Sequence, residues 1–372
     1  MKTFQFLLML LILSGINFYV IYRLVYMLPA ILAARGTVLV VGILAFLSFF
    51  LSFLMRDILP VGIASCLYKI GTSWIVIALY FALIFLLFDI IRITGLLPIG
   101  KILHKSWIGF GGVVGFVTLV MIFGYFNYQK KDRVELNIST AKGVATGAPL
   151  KIVAISDLHL GYSIGVDELK GWIDLINKEN PDVVLIAGDL IDNAVQPLEE
   201  GGFANVLKTI KAKYGVYMAL GNHEYISGVK ESEEFLQKTG IKVLRDEAKL
   251  INNQFYIVGR DDRAYFGRKK IWDLTDPLDK TKPIIVIDHQ PFELEEVEQF
   301  NVDLQVSGHT HDGQVWPISL ITKAIYEKSH GYLQKGNSHI YVTSGIGLWG
   351  GKYRIGTNSE YAVINMNFGQ TH

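Results

Sequence analysis

The chain of 372 residues has a single cysteine, Cys66. A disulfide framework is therefore excluded, and so is a zinc site built from thiolates. Net charge is almost absent, +1 with histidine neutral. That gives no sign of the basic face that nucleic acid demands, and nucleic acid is not expected as a partner. Charge is also missing from long stretches near the amino terminus. "TVLVVGILAFLSFFLSFLM" and "SWIVIALYFALIFLLF" contain none. Such runs are too long and too uniformly apolar for amphipathic surface helices. No A-x-A pattern follows the first apolar run, which argues against a removed signal peptide.

What is there divides in two. Four stretches, roughly 4–20, 37–55, 73–88 and 107–126, come near the ~20 apolar residues that a bilayer requires. Tyr and Trp stand near several of their ends, as expected at membrane interfaces. Residues 1–130 are expected to form a transmembrane helical domain and residues 131–372 a globular one. The whole reads as a multi-pass integral membrane protein. Basic residues between the spans fall almost evenly on the two faces, so the positive-inside rule assigns no side to the globular half.

The globular half alternates strand and helix patterns. "KIVAISD", "DVVLIAGD", "GVYMALGNHE", "PIIVIDHQ" and "VDLQVSGHTH" each run from apolar residues straight into polar ones. "DELKGWIDLINKEN" has helical spacing, with Leu169, Trp172, Ile173 and Ile176 on one face. In α/β sheets, ligand sites form at the carboxyl ends of strands. The spacing predicts that these five strand ends converge.

The residues so placed are Asp157 and His159, Asp189, Asn222 and His223, His289, and His309 and His311. Each has an ordinary explanation alone. Asp157 could cap a turn, Asp189 follows a glycine, and His289 could be loop filler. Together they offer oxygens and nitrogens suited to Mn, Fe or Zn, about twice what one four-coordinate site needs. The surplus argues for two divalent ions sharing a carboxylate, an arrangement that clamps a phosphate ester and activates a hydroxide nucleophile. In strictly extended backbone His309 and His311 would lie on one side within ~7 Å.

The blocks "SDLHLG", "GDLID", "GNHE", "DHQP" and "GHTH", in that order, make residues 148–368 resemble the calcineurin-like metallophosphoesterases. Within that family the resemblance is strongest to membrane-associated bacterial phosphodiesterases and lipid-pyrophosphate hydrolases. It implies an α/β fold of two packed mixed β-sheets flanked by helices, in four αββα layers, and a bacterial cell membrane as the location. It implies that Asp157, His159 and His311 hold one ion, that Asn222, His289 and His309 hold a second, and that Asp189 bridges both. His223 would be the non-ligand histidine at the leaving oxygen, working with Asp157 or Asp192. The expected activity is metal-dependent hydrolysis of a phosphodiester or pyrophosphate bond.

The expected substrate is a phosphate ester, with a lipid-linked one leading. A general or nucleotide phosphodiesterase merely tethered to the membrane is the alternative, followed by a non-catalytic sensor. The run 318–326, with Ile318, Leu320, Ile321, Ile325 and Tyr326, reads as a helix packed into the core or as an apolar flap for an acyl chain. Trp349 and Arg354 lie in "IGLWGGKYRIG". Arg354 could pair with a substrate phosphate or form a surface salt bridge.

Overall fold

The structure is a computed structural model, and it describes residues 2–95, 104–144 and 148–369. The chain divides into two compact units. One is Met1–Phe126 with Gly350–Tyr353, and the other is Asn127–Trp349 with Arg354–His372.

Among the described residues four helices are long and apolar enough to cross a bilayer: α1 (Lys2–Met27), α2 (Leu32–Leu54), α3 (Val61–Thr94) and α4 (Trp107–Gln129). Two of them outrun the apolar stretches expected at 4–20 and 73–88. Arg23, Lys69 and Arg92 interrupt hydropathy but not helix propensity, because long side chains lose little freedom in a helix. Gly95, at φ 67°, ends α3. Gly71 sets how closely α2 and α3 pack. A Cβ there would come within 2.3 Å of the Phe49 backbone nitrogen, so only glycine permits the approach. Trp74 Nε1 donates to Asn17 Oδ1 at 2.8 Å and ties α3 to α1.

The other unit is built on two six-stranded sheets. The first orders β1 (Lys131–Thr140), β12 (Ser359–Phe368), β2 (Leu150–Ile155), β3 (Val183–Ala187), β4 (Val216–Ala219) and β5 (Lys242–Val243). The second orders β10 (Gly331–Lys335), β11 (Ser338–Val342), β9 (Leu304–Ser307), β8 (Ile284–Ile287), β7 (Phe255–Gly259) and β6 (Glu247–Ile251). Each sheet is mixed. β2, β3 and β4 run parallel in one, and β7, β8 and β9 run parallel in the other.

Alternating side chains of the two sheets meet in one buried layer that includes Ile152, Leu185, Ile257, Ile285 and Val306. The opposite face of the first sheet is covered by α5 (Val166–Lys178), whose Leu169, Trp172, Ile173 and Ile176 are buried. The far face of the second sheet packs against short helices carrying Ile271, Leu274 and Val297. The result is the expected four-layer α/β arrangement. It brings the carboxyl ends of β2, β3, β4, β8 and β9 to one edge.

Candidate metal centre

Sharp turns, not strands, present the polar residues. Asp157, His159, Asp189, His309 and His311 all have positive φ, between 45° and 71°. Such backbone costs roughly 1–3 kcal/mol per residue and persists where the surroundings over-determine it. The "GHTH" segment is thus not extended. His309 and His311 both adopt left-handed backbone, and residues 311–313 form a 3₁₀ turn.

Two crossings join the sheets at this edge. The His309 amide donates to both oxygens of Asp157 at 3.1 Å. His289 Nδ1 donates to the Ala187 carbonyl at 2.7 Å. Gly308 makes the first possible, since a Cβ there would sit 2.4 Å from Asp157 Oδ2.

Among the described residues three groups of side chains could hold an ion, His159 with Asp192 and His223 being one, and the expected ligands form the other two. Asp157, His159 and His311 offer ligand atoms within 4.8 Å of one another, and so do Asp189, His289 and His309. In the first, His159 Nε2 and His311 Nε2 face each other at 3.1 Å, with His311 Nε2 3.4 Å from Asp157 Oδ1. In the second, His289 Nε2 lies 3.1 Å from Asp189 Oδ2, 3.2 Å from Asn222 Oδ1 and 3.3 Å from His309 Nδ1. Asp189 Oδ2 is also 3.8 Å from His159 Nε2, so one carboxylate reaches both groups. His309 and His311 fall into different groups.

The donor set fits divalent ions on its own chemistry. The carbonyl of Ala187 can only accept, so His289 carries a hydrogen on Nδ1. Its Nε2 then faces two oxygens and a nitrogen, and although burial opposes the charged ring, Asp189 outweighs it and holds His289 well above its ordinary value. Only a proton or a cation reconciles such neighbours. Burial, then the charge of His289, pushes His309 down to about 3. Burial, then His159, holds His311 well below its ordinary value. Both are neutral imidazoles, the form that binds metal. Burial works to raise the Asp189 carboxyl, but the charges of His289 and His223 outweigh it and hold the group well below the carboxylate range.

His223 Nδ1 donates to the Asp192 carbonyl at 2.6 Å, which leaves Nε2 to hold or give a proton. Asp192 Oδ1 stands 3.6 Å from His223 Nδ1 and 3.4 Å from His159 Nδ1. Of the two acids considered for this histidine, Asp192 is the one beside its ring.

Sequence reasoning passed over Glu224. It is fully buried. Its Oε2 accepts from the amides of Asp189 at 3.1 Å and Gly221 at 2.7 Å, and its Oε1 from that of Ile191 at 3.0 Å. It therefore clamps the turn holding Asp189 to the turn holding Asn222. Burial and the neighbouring Asp189 push it up to about 7. Its place as the last residue of "GNHE" was the only available signal.

Two expectations change. Arg354 is completely buried. Its Nη1 donates to the His311 carbonyl at 2.7 Å, and its Nη2 to those of Ser344 at 2.5 Å and Gly347 at 3.0 Å. The guanidinium is spent on shaping the loops behind His311 and is neither a phosphate ligand nor a surface ion pair. Trp349 is half-buried in the same loop region, its carbonyl accepting from Gln314 Nε2 at 3.0 Å. The second change concerns α6 (Ile318–Ile325), in which only Ser319 is buried. Leu320, Ile321 and Ile325 are 56%, 54% and 59% exposed, so this helix does not pack into the core. It joins the site through Tyr326, whose ring is 6.2 Å from that of His309 and 4.8 Å from that of Phe292. Arg263 lies 4.7 Å over Phe292 and begins a loop in which Tyr265 and Phe266 are exposed.

Residues 150–313 match the family model described as calcineurin-like phosphoesterase. The chain is 33% identical over 226 residues to an uncharacterized metallophosphoesterase of Helicobacter pylori, covering 58% of this chain and 60% of that protein. It is 31% identical over 241 residues to an uncharacterized metallophosphoesterase of Aquifex aeolicus, covering 63% of this chain and 91% of the relative. A Danio rerio protein named transmembrane protein with metallophosphoesterase domain is 30% identical over 266 residues, with 67% of this chain and 60% of that protein covered. The alignments with the Helicobacter and Danio relatives span about 60% of those proteins' lengths.

Proposed function

The chain belongs to the calcineurin-like metallophosphoesterase family, and from that premise we propose that it hydrolyses a phosphodiester or pyrophosphate bond of a lipid-linked substrate with two divalent ions, Mn, Fe or Zn. The observation that carries the dinuclear reading is the reach of Asp189 Oδ2 to His289 Nε2 at 3.1 Å and to His159 Nε2 at 3.8 Å. Asp157, His159 and His311 would hold one ion and Asn222, His289 and His309 the other, with Asp189 between them. Bound ions of this kind supply positive charge to a phosphoryl group and acidify a water molecule.

The chain's own residues do the rest. The backbone carbonyl of Asp192 orients the imidazole of His223, and its carboxylate lies beside the rings of His159 and His223. His223 Nε2 holds the proton that the leaving oxygen takes. Glu224 keeps the Asp189 and Asn222 turns in register. The proposal also makes the chain a multi-pass protein of a bacterial cell membrane.

The lipid-linked class rests on the rim beside His309. There α6 exposes Leu320, Ile321 and Ile325, with Trp316 just before it. An apolar helix beside a phosphoesterase site, on a chain with four candidate spans, suits a substrate that carries an acyl or prenyl tail. The test compares turnover of detergent-dispersed lipid phosphates with that of soluble nucleotides. Lipid phosphates should turn over about tenfold faster or more, and replacing Leu320 and Ile321 by Ser should remove most of that advantage. Equal rates on both substrate classes would eliminate the lipid reading while leaving the hydrolase reading intact.

A further inference from the structure

The helical unit carries charge where its composition leaves least room for it. Arg23 lies in the candidate span Leu7–Met27, and Asp89 and Arg92 lie in Val61–Thr94. Charge within a span is expensive and marks function by default. Arg23 Nη1 donates to Asp89 Oδ1 at 2.5 Å, and the Tyr19 hydroxyl donates to Asp89 Oδ2 at 2.6 Å. Arg92 Nη2 is 4.0 Å from the same Oδ1. Two guanidiniums share one carboxylate.

The Arg23–Asp89 pair alone would lock α1 to α3, and its side chains are only 14% and 24% exposed. A lock explains neither the second cation nor the open space beside it. A cavity of about 330 Å³ is bounded by that pair and by Tyr22, Tyr26, Phe88, Arg92 and His104. The His104 ring lies 4.4 Å from that of Tyr26. The Ser106 amide donates to the Met27 carbonyl at 2.7 Å, so the approach to α4 is fastened to the end of α1. Three chain segments therefore meet around the cavity. Its arginines and tyrosines lie within the last turns of α1 and α3, the level at which tyrosines gather along a bilayer.

We propose that this cavity binds a phosphate-bearing anion at the membrane interface, in a site separate from the candidate metal centre. Among the described residues one carboxylate faces two guanidiniums, a charge count that decides against a cation. Arg92 presents a planar fork that matches phosphate oxygens, and the tyrosine hydroxyls and His104 add donors on the aromatic wall. The volume is at the small end for ligand sites and suits a headgroup-sized ion. The same chemistry comes from a lipid phosphodiester headgroup or from free inorganic phosphate. The inference does not depend on the proposed hydrolysis.

The test uses the full chain in neutral detergent. Native mass spectrometry and titration measure binding of short-chain phosphatidylglycerol, inorganic phosphate and, as a phosphate-free control, diacylglycerol. Arg92→Gln is the informative variant, because the Arg92 side chain is 70% exposed and its loss leaves the Arg23–Asp89 pair intact. Arg92→Lys keeps the charge without the fork, and an unchanged melting temperature shows that either variant is folded. Any anion held at the metal centre is common to all three proteins and cancels. Arg92→Gln should weaken the bound phosphate probe about tenfold, with Arg92→Lys in between and diacylglycerol unaffected. Competition by millimolar phosphate identifies the free ion as the ligand, and failure to compete identifies the lipid. If neither phosphate probe binds wild type more tightly than Arg92→Gln, the proposal is wrong.

Discussion

Glu224→Gln isolates the role of the buried clamp. The carboxylate accepts three backbone N–H groups, two on Oε2 and one on Oε1. A glutamine can keep its oxygen on the amides of Asp189 and Gly221, but it then sets an NH₂ against the amide of Ile191. The Ile191 N–H and the new NH₂ are both left unsatisfied, at about 1–3 kcal/mol each, and the two retained bonds lose charge assistance, about 1 kcal/mol more. The sum is about 5 kcal/mol, which for a unit of this size lowers Tm by about 10–20 °C. The turns it joins carry Asp189 and Asn222, so metal affinity should fall as well, by about 10- to 100-fold as for other residues that support ligands. Thermal unfolding of the detergent-solubilised chain and a metal titration read the two effects. A variant with Tm within about 2 °C of wild type and unaltered metal affinity would refute the clamp.

Other perturbations follow from the same geometry. Gly308→Ala puts a Cβ 2.4 Å from both Asp157 Oδ2 and Ser156 Oγ; displacing Asp157 should cost about 100-fold in kcat, as small misplacements at reacting centres do, and wild-type kinetics would contradict it. His330 Nε2 sits 2.9 Å from Glu360 Oε2. Burial opposes the imidazolium but Glu360 outweighs it, raising His330 above 6.5, while hydrogen bonds from His330 and others overcome burial and lower Glu360 below 4.5. A raised histidine stabilises below its unfolded pKa and a lowered carboxyl stabilises above its own, so the pair contributes most between these two ordinary values. His330→Gln should therefore lose most stability near pH ~5.5 and little at alkaline pH, as melting curves across pH would show; a loss independent of pH would contradict the pairing.

The parts of the fold legible in the sequence were those where burial writes a pattern. β2, β3, β4, β8 and β9 are apolar because they are covered on both faces, and each ends where the edge admits polar residues. β1 was missed because it lies at a sheet edge, with alternating charged residues, and pairs with β12 more than two hundred positions away. Helix α3 looked shorter than it is because Asp89 breaks the apolar run, and only the fold supplies Arg23 as its partner. At the candidate centre the residue types were legible, since ligand chemistry restricts them. Conformation and supporting contacts were not. His309 and His311 read as extended yet turn left-handed, Glu224 reads as an ordinary acid in the first turn of a helix, and Arg354 reads as a surface arginine. Each depends on what tertiary packing sets against it.

The central claim is that Asp189 serves two ions at once. Metal analysis of wild type and Asp189→Ala, run beside hydrolysis of an aryl phosphodiester, tests it most directly. Wild type should hold two ions per chain and the variant fewer, with a rate lowered by about 1,000-fold or more when charge stabilisation at the phosphoryl group is lost. An Asp189→Ala protein that keeps two ions and the full rate would contradict it.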